Sequence, residues 1–161
     1  MKIYIPKVRE NWIIDRIRKE WYESTNNIST KFITSADIIW INAPWAWEKL
    51  NKKKLNSKLV VSTIHHIEEN NSLFDFKNFD KYIDFYHTPS LKTLEQLRKL
   101  TNKKIFHIPY WINNKNYFYI EDKQRLRKKY GFKSNDYLIG SFQRDTEGYD
   151  LKSPKLIKGP D

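Results

Sequence analysis

Short continuous apolar runs alternate along this chain with stretches that are apolar on one side only. Residues 2–6 (KIYIP) open as a short β-rich segment. Residues 12–22 place Ile13, Ile14, Ile17 and Trp21 at three- and four-residue spacing, which predicts a helix with Asn11 as its N-cap. Residues 37–42 (DIIWIN) and 59–64 (LVVSTI) are buried-type segments, with apolar residues in continuous rather than alternating runs, the pattern of strands covered on both faces. Pro44 sits where a helix can begin. Residues 82–86 predict another strand, after which Thr88-Pro89 opens a helix carrying Leu91, Leu94, Leu97 and Leu100. Residues 104–108 (KIFHI) predict a strand stopped by Pro109. A basic helix is expected over 122–130, with acidic residues at its start and Gly131 at its end, and a last strand over 137–142.

Strands alternating with helices predict an α/β fold: a Rossmann-like parallel sheet with helices on both faces. The pattern turns polar over 112–136 before the last apolar segment. The reading is therefore a first domain over 1–130 and the truncated beginning of a second Rossmann-like unit over 131–161. The five sheet strands are expected at 2–6, 37–42, 59–64, 82–86 and 104–108.

Composition narrows the class. Aromatic residues make up 16% of the 161 residues, enough to fill a core despite a mean hydropathy of −0.79. The absence of cysteine excludes disulfides and thiolate metal sites. With no apolar run of membrane-spanning length, a cytoplasmic location is expected, in solution or peripheral to the inner face of the membrane. The net charge of +11 and pI near 9.6 favour polyanionic partners: nucleic acid, an anionic membrane or phosphorylated ligands. Lysine clusters such as Lys52-Lys53-Lys54 also serve simply as solvated surface. The first 130 residues contain no glycine; Gly131, Gly140, Gly148 and Gly159 all lie near the C-terminus. Close backbone approach to a phosphate is thus expected there, and the chain reads as a fragment ending inside that unit.

Ligands of open α/β sheets bind at the carboxyl ends of the strands. Those ends carry Asn42, Trp45 and Trp47 after one strand, and His65, His66, Glu68 and Glu69 after the next. His87 and His107 fall at similar places, where a hydrogen-bonded histidine packed under a loop competes with any functional role. One of His65 and His66 is the candidate catalytic group, able to orient a hydroxyl or transfer a proton. Adjacent strand residues point to opposite faces, so the two histidines do not form a metal pair, and no metal is expected. Trp45 offers a platform for a sugar ring or a base, or a membrane-interface anchor, where core packing is the plainer role for one of Trp45 and Trp47. The turn after the first strand, Pro6-Lys7-Val8-Arg9-Glu10-Asn11, lacks the glycines of a dinucleotide fingerprint.

The order of these segments resembles the N-terminal half of GT-B glycosyltransferases of the retaining, glycosyl-transferases-group-1 type. Five segments carry the resemblance: Ser62-Thr63-Ile64-His65-His66; Phe85-Tyr86-His87-Thr88-Pro89-Ser90; Lys104-Ile105-Phe106-His107-Ile108-Pro109 with Phe118; Arg127-Lys128-Lys129-Tyr130-Gly131; and residues 137–161. The chain departs from that pattern in its glycine-free first loop, in Trp111 where glycine is usual, and in a polar expansion between Arg144 and Lys158. The resemblance implies sugar transfer from a nucleotide-diphospho-sugar donor to a glycan or lipid-linked acceptor, without metal or cofactor. It implies Arg144 and Lys158 as donor-phosphate contacts, with Lys152 and Lys155 competing for the latter role. It implies an acceptor side in the first domain, to which Trp45, Glu68 and Asn42 would belong. The missing C-terminal domain becomes a partner, and contact with an anionic membrane is expected. The isolated chain is expected to be inactive.

A basic α/β module that binds nucleic acid without catalysis is the alternative. The aromatics sit mostly in buried-type strands and no RNA-binding motif is present, so it ranks second. A receiver-like signalling domain would need an acidic pocket after the first strand, where this chain is basic.

Overall fold

The computed structural model describes residues 1–10, 13–67, 75–116 and 118–140. The chain divides into two compact units, Met1–Tyr117 and Phe118–Asp161. The break falls inside the polar stretch 112–136, and it leaves the basic helix over 122–130 in the second unit, where the sequence reading had kept it in the first.

The first unit is built on five parallel strands: β1 (Ile3–Tyr4), β2 (Ile38–Ile41), β3 (Leu59–Thr63), β4 (Phe85–Thr88) and β5 (Ile105–His107). They lie side by side in chain order, and every pairing is parallel. The expected α/β, Rossmann-like arrangement is present. Each connection carries helical structure: α1 (Ile13–Ser24), a 3-10 segment (Pro44–Lys49) with α2 (Lys52–Asn56), α3 (Phe76–Asp80) and α4 (Leu91–Arg98). Side-chain caps start three of these helices, at Asn51, Asp75 and Ser90.

A short contact beside β1 reveals the winding. The carbonyl of Lys2 accepts from Asp37 and Ile38 at the start of β2. The carbonyl of Ile3 points the other way and accepts the Thr30 N–H at 3.0 Å, beside a parallel bridge from Ile3 to Ser29. Ser29 and Thr30 are thus a second strand reduced to one bridge on the outer side of β1. The chain leaves β1 outward through α1 and returns across it to β2. Counted as a strand, the Ser29 segment makes the order 2-1-3-4-5-6, a doubly wound order with its reversal of direction between β1 and β2. Two side chains of α1 complete the outer edge. Tyr22 Oη accepts from Ile5 N at 3.1 Å and donates to Thr30 O at 2.7 Å, and Arg18 Nε donates to Ile5 O at 2.9 Å.

The register divides the sheet into two faces. Ile39, Val60, Ser62, Tyr86 and Thr88 are buried on one face, with Leu55 of α2, Phe79 of α3 and Leu97 of α4 among the buried core. On the other face Trp40 meets Trp21 of α1 edge-on at 5.1 Å. Helices therefore cover both faces, as expected. Toward β5 this second face is barer, and Phe106 is exposed.

Two boundaries differ from expectation. The strand read at 82–86 begins instead at Phe85, because Tyr82 and Ile83 close the turn after α3 by bonding back to Phe79 and Asp80. Asp84, the last residue before it, accepts the Val60 N–H at 2.7 Å and so sets the strand's start. In the second unit, α5 (Lys123–Lys129) is present with Asp122 as its cap. Residues 137–140, read as the start of a strand, form none. No other strand is described in 118–140, and a lone apolar segment without a pairing partner has no ladder to join. Residues 141 and 142 of that segment lie outside the described residues.

Candidate functional site

The carboxyl edge of the sheet gathers the loops after β1, β2, β3 and β5. The loop after β1 turns at Arg9, which has φ of 67°, a left-handed conformation that normally favours glycine. Asp15, in the first turn of α1, holds it there: its carboxylate accepts from Arg9 N at 3.3 Å and from Glu10 N at 2.7 Å. A carboxylate bound to two successive amides thus does what glycine would have done in this turn.

Glu10 Oε1 accepts the indole N–H of Trp45 at 2.7 Å, which joins the loop after β1 to the loop after β2. Trp45 remains 46% exposed, whereas Trp47 is buried and packs on Phe79 and Tyr82. Of the two tryptophans the sequence left open, Trp45 therefore faces solvent at the edge and Trp47 belongs to the core. Asn42 is 1% exposed. Its amide Nδ2 donates to Ile14 O at 3.2 Å, and its backbone carbonyl accepts from His65 Nε2 at 2.8 Å. Asn42, expected as an acceptor contact, is buried and braces α1 and the histidine, and its Oδ1 has no hydrogen-bond partner among the described residues.

His65 is half-buried, just past β3. Since a carbonyl can only accept, Nε2 carries the proton and Nδ1 is left as an acceptor. Tyr110 Oη fills it at 2.9 Å, with the two rings stacked at 5.7 Å. Burial lowers the His65 pKa below the ordinary 6.5; the bond to Asn42 opposes this, and His66 and His87 add to it. His66 is exposed, as the alternation of strand-end residues implies.

His87 sits in a parallel arrangement on the neighbouring strand. Its Nε2 donates to Ile108 O at 2.8 Å, so Nδ1 accepts from Thr63 Oγ1 at 3.0 Å, and Thr63 in turn accepts from Trp40 Nε1 at 2.8 Å. Every proton in this relay has a determined direction. Burial pushes the His87 pKa down as well, against the opposing bond to Ile108. Beside it, the rings of Trp21, Trp40 and Trp111 close a triangle with centroids 5.1 to 6.4 Å apart. Trp111 Nε1 donates to Glu20 Oε2 at 2.8 Å; Glu20 is 7% exposed, with Arg16 Nε 3.6 Å from its other oxygen.

Of the residues singled out from the sequence, the structure brings Asn42, Trp45 and His65 to one edge, with His66 beside them. Glu68, Arg144 and Lys158, with Lys152 and Lys155, lie outside the described residues. Tyr110, Glu10, Thr63 and Glu20 were not anticipated. The strand-end rule could have found Tyr110, which follows β5 as His65 follows β3. Among the described residues no three His, Asp or Glu side chains converge as a metal site. A cavity of about 460 Å³, lined by Asp37, Lys58 and Asp84 among others, lies at the opposite, amino-terminal edge of the strands. Its charged groups are committed to backbone: Asp84 to Val60, Asp37 to Lys2, and Lys58 to Thr34 and Ala36.

The arrangement at the carboxyl edge offers a neutral imidazole whose one acceptor nitrogen receives a hydroxyl, and an exposed indole on the adjacent loop. No protein-family model matches the chain, and no curated protein matches it.

Proposed function

We propose that this chain is the acceptor-side half, with the start of the donor-side half, of a retaining glycosyltransferase that uses a nucleotide-diphospho-sugar donor without metal. The observation that carries the reading is His65: a neutral imidazole at the carboxyl edge of the sheet, one strand from the reversal point, with an acceptor nitrogen already paired to a hydroxyl. A sugar acceptor presents the same group. Trp45 supplies an exposed aromatic face on the neighbouring loop, of the kind on which pyranose rings pack. The order of the five segments resembling GT-B enzymes adds the donor side. There Arg144 and Lys158 would meet the diphosphate and stabilise the charge that develops on it as it leaves. The acceptor is a glycan or a lipid-linked sugar, and the basic chain favours work at an anionic membrane surface.

The test is a side-chain NMR titration with two ligand sets. Methyl glycosides should shift the Trp45 indole and His65 ring signals, and nucleotide sugars should shift those of Arg144 and Lys158. Trp45→Ala should abolish the first set and spare the second. Single-stranded RNA shifting Trp45 and His65 where glycosides shift neither would replace this reading with the nucleic-acid module.

A further inference from the structure

The segment after β5 reaches the candidate site through two successive aromatic residues that are held in different ways. Trp111 is fastened twice, by its bond to Glu20 and by packing against Trp21 and Trp40. Tyr110 stands edge-on to His87 and Trp111, with centroids 5.9 and 6.2 Å away, and its hydroxyl bonds to the His65 ring. Rotation of the Tyr110 side chain would uncover His65 Nδ1 and leave Trp111 in place.

We infer that the Tyr110 hydroxyl is a stand-in for a ligand hydroxyl: it closes His65 in the unliganded chain, and a polyhydroxyl ring displaces it by donating its own O–H to Nδ1. The inference rests on the acceptor-side reading above and adds how that site is closed and what opens it.

Three features define the ligand chemistry. With Nε2–H committed to Asn42 O, the ring offers the incoming group an acceptor and no donor. A carboxylate or phosphate, which only accepts, finds nothing there, whereas an alcohol does. The position is also shaped for a ring, because the Tyr110 phenol lies nearly parallel to the imidazole, at an interplanar angle of 29°. Burial raises the pKa of the phenol, so its O–H remains a donor across the working pH range and is matched group for group by a sugar hydroxyl. The exchange swaps one O–H···N bond for another, so the latch costs little to open once a second contact such as Trp45 holds the ligand.

The experiment uses carbethoxylation of histidine, read residue by residue by mass spectrometry, with exposed His66 as the internal reference. In the unmodified protein His65 should react far more slowly than His66. Tyr110→Ala should raise the His65 rate by about tenfold, the worth of one hydrogen bond at the upper end of the usual range, and leave His66 unchanged. Tyr110→Phe keeps the ring. It should move the His65 Nδ1 nitrogen resonance toward that of an unbonded acceptor, a change that loss of packing alone would not produce. Methyl glucoside should then slow His65 carbethoxylation in Tyr110→Ala. If Tyr110→Ala stays folded and His65 stays slow, or if the nitrogen resonance does not move in Tyr110→Phe, the latch is overturned. If both variants respond as expected but no glycoside protects His65, the latch stands and the acceptor-side reading falls.

Discussion

Trp111 Nε1 lies 2.8 Å from Glu20 Oε2, a bond between residues 91 positions apart. It ties the segment following the last strand to the first helix. The carboxylate is buried, so breaking the bond from the tryptophan side leaves a charged acceptor short of a donor. Trp111→Phe should therefore cost about 2 kcal/mol of folding stability, within the range for hydrogen bonds to charged groups. Glu20→Gln, which can still accept from the indole, should cost less. Urea unfolding of both variants checks the order; a Trp111→Phe variant as stable as the unmodified protein would show that the bond contributes nothing.

The relay from Trp40 through Thr63 to His87 makes a second prediction. Thr63→Val keeps the shape and removes the hydroxyl, stranding an indole donor and an imidazole acceptor together. The expected loss is about 1–3 kcal/mol, and Thr63→Ser should recover most of it. Thermal unfolding of the pair gives the answer, and a neutral Thr63→Val would show that water reaches both groups.

Acid should destabilise the fold earlier than carboxylate titration would. His65 and His87 both have pKa values lowered by burial, so below 6.5 the unfolded chain binds protons that the folded chain refuses. Stability is then complete above that value and falls as pH drops toward the depressed folded pKa values, with a slope of up to two protons. Urea midpoints from pH 7.5 to pH 5 should show the decline, and His87→Gln should make it shallower. A midpoint flat across this window would contradict the neutral state assigned to both rings.

The excess of positive charge predicts salt-sensitive association with anionic surfaces. Lys123, Arg125, Lys128 and Lys129 of α5 are all exposed. Sedimentation with phosphatidylserine vesicles should retain the protein at low salt and release it as the Debye length shortens. Equal retention on neutral vesicles would remove the electrostatic account.

The sheet was legible because its central strands carry continuous apolar runs: IIWI over 38–41 and LVV over 59–61 suit burial on both sides. The fourth strand was misplaced because Tyr82 and Ile83 are as apolar as strand residues, yet serve the turn after α3. Ser29 and Thr30 gave no signal, since one bridge leaves no periodicity. Strand-end placement was enough to put His65 and Trp45 at the carboxyl edge of the sheet. The Trp40–Thr63–His87 relay was not legible because it depends on strand register, which brings together residues that no local pattern links. The bracing bond of Asn42 was not legible for a related reason: a polar residue at a strand end can face the crevice or brace the helix beneath it.

The outer edge of β1 has a consequence for how this fold can vary. An unpaired edge strand normally invites other chains to add to it. Here Ile5 N, Ile5 O and Thr30 O are engaged by the hydroxyl of Tyr22 and the guanidinium of Arg18, two side chains projecting from one helix. The edge is guarded by α1 together with the single bridge at Ser29, and a full second strand is not needed for it. The segment between α1 and β2 is accordingly a place where length can drift, growing into a full strand or shrinking to a turn, provided Arg18 and Tyr22 are kept.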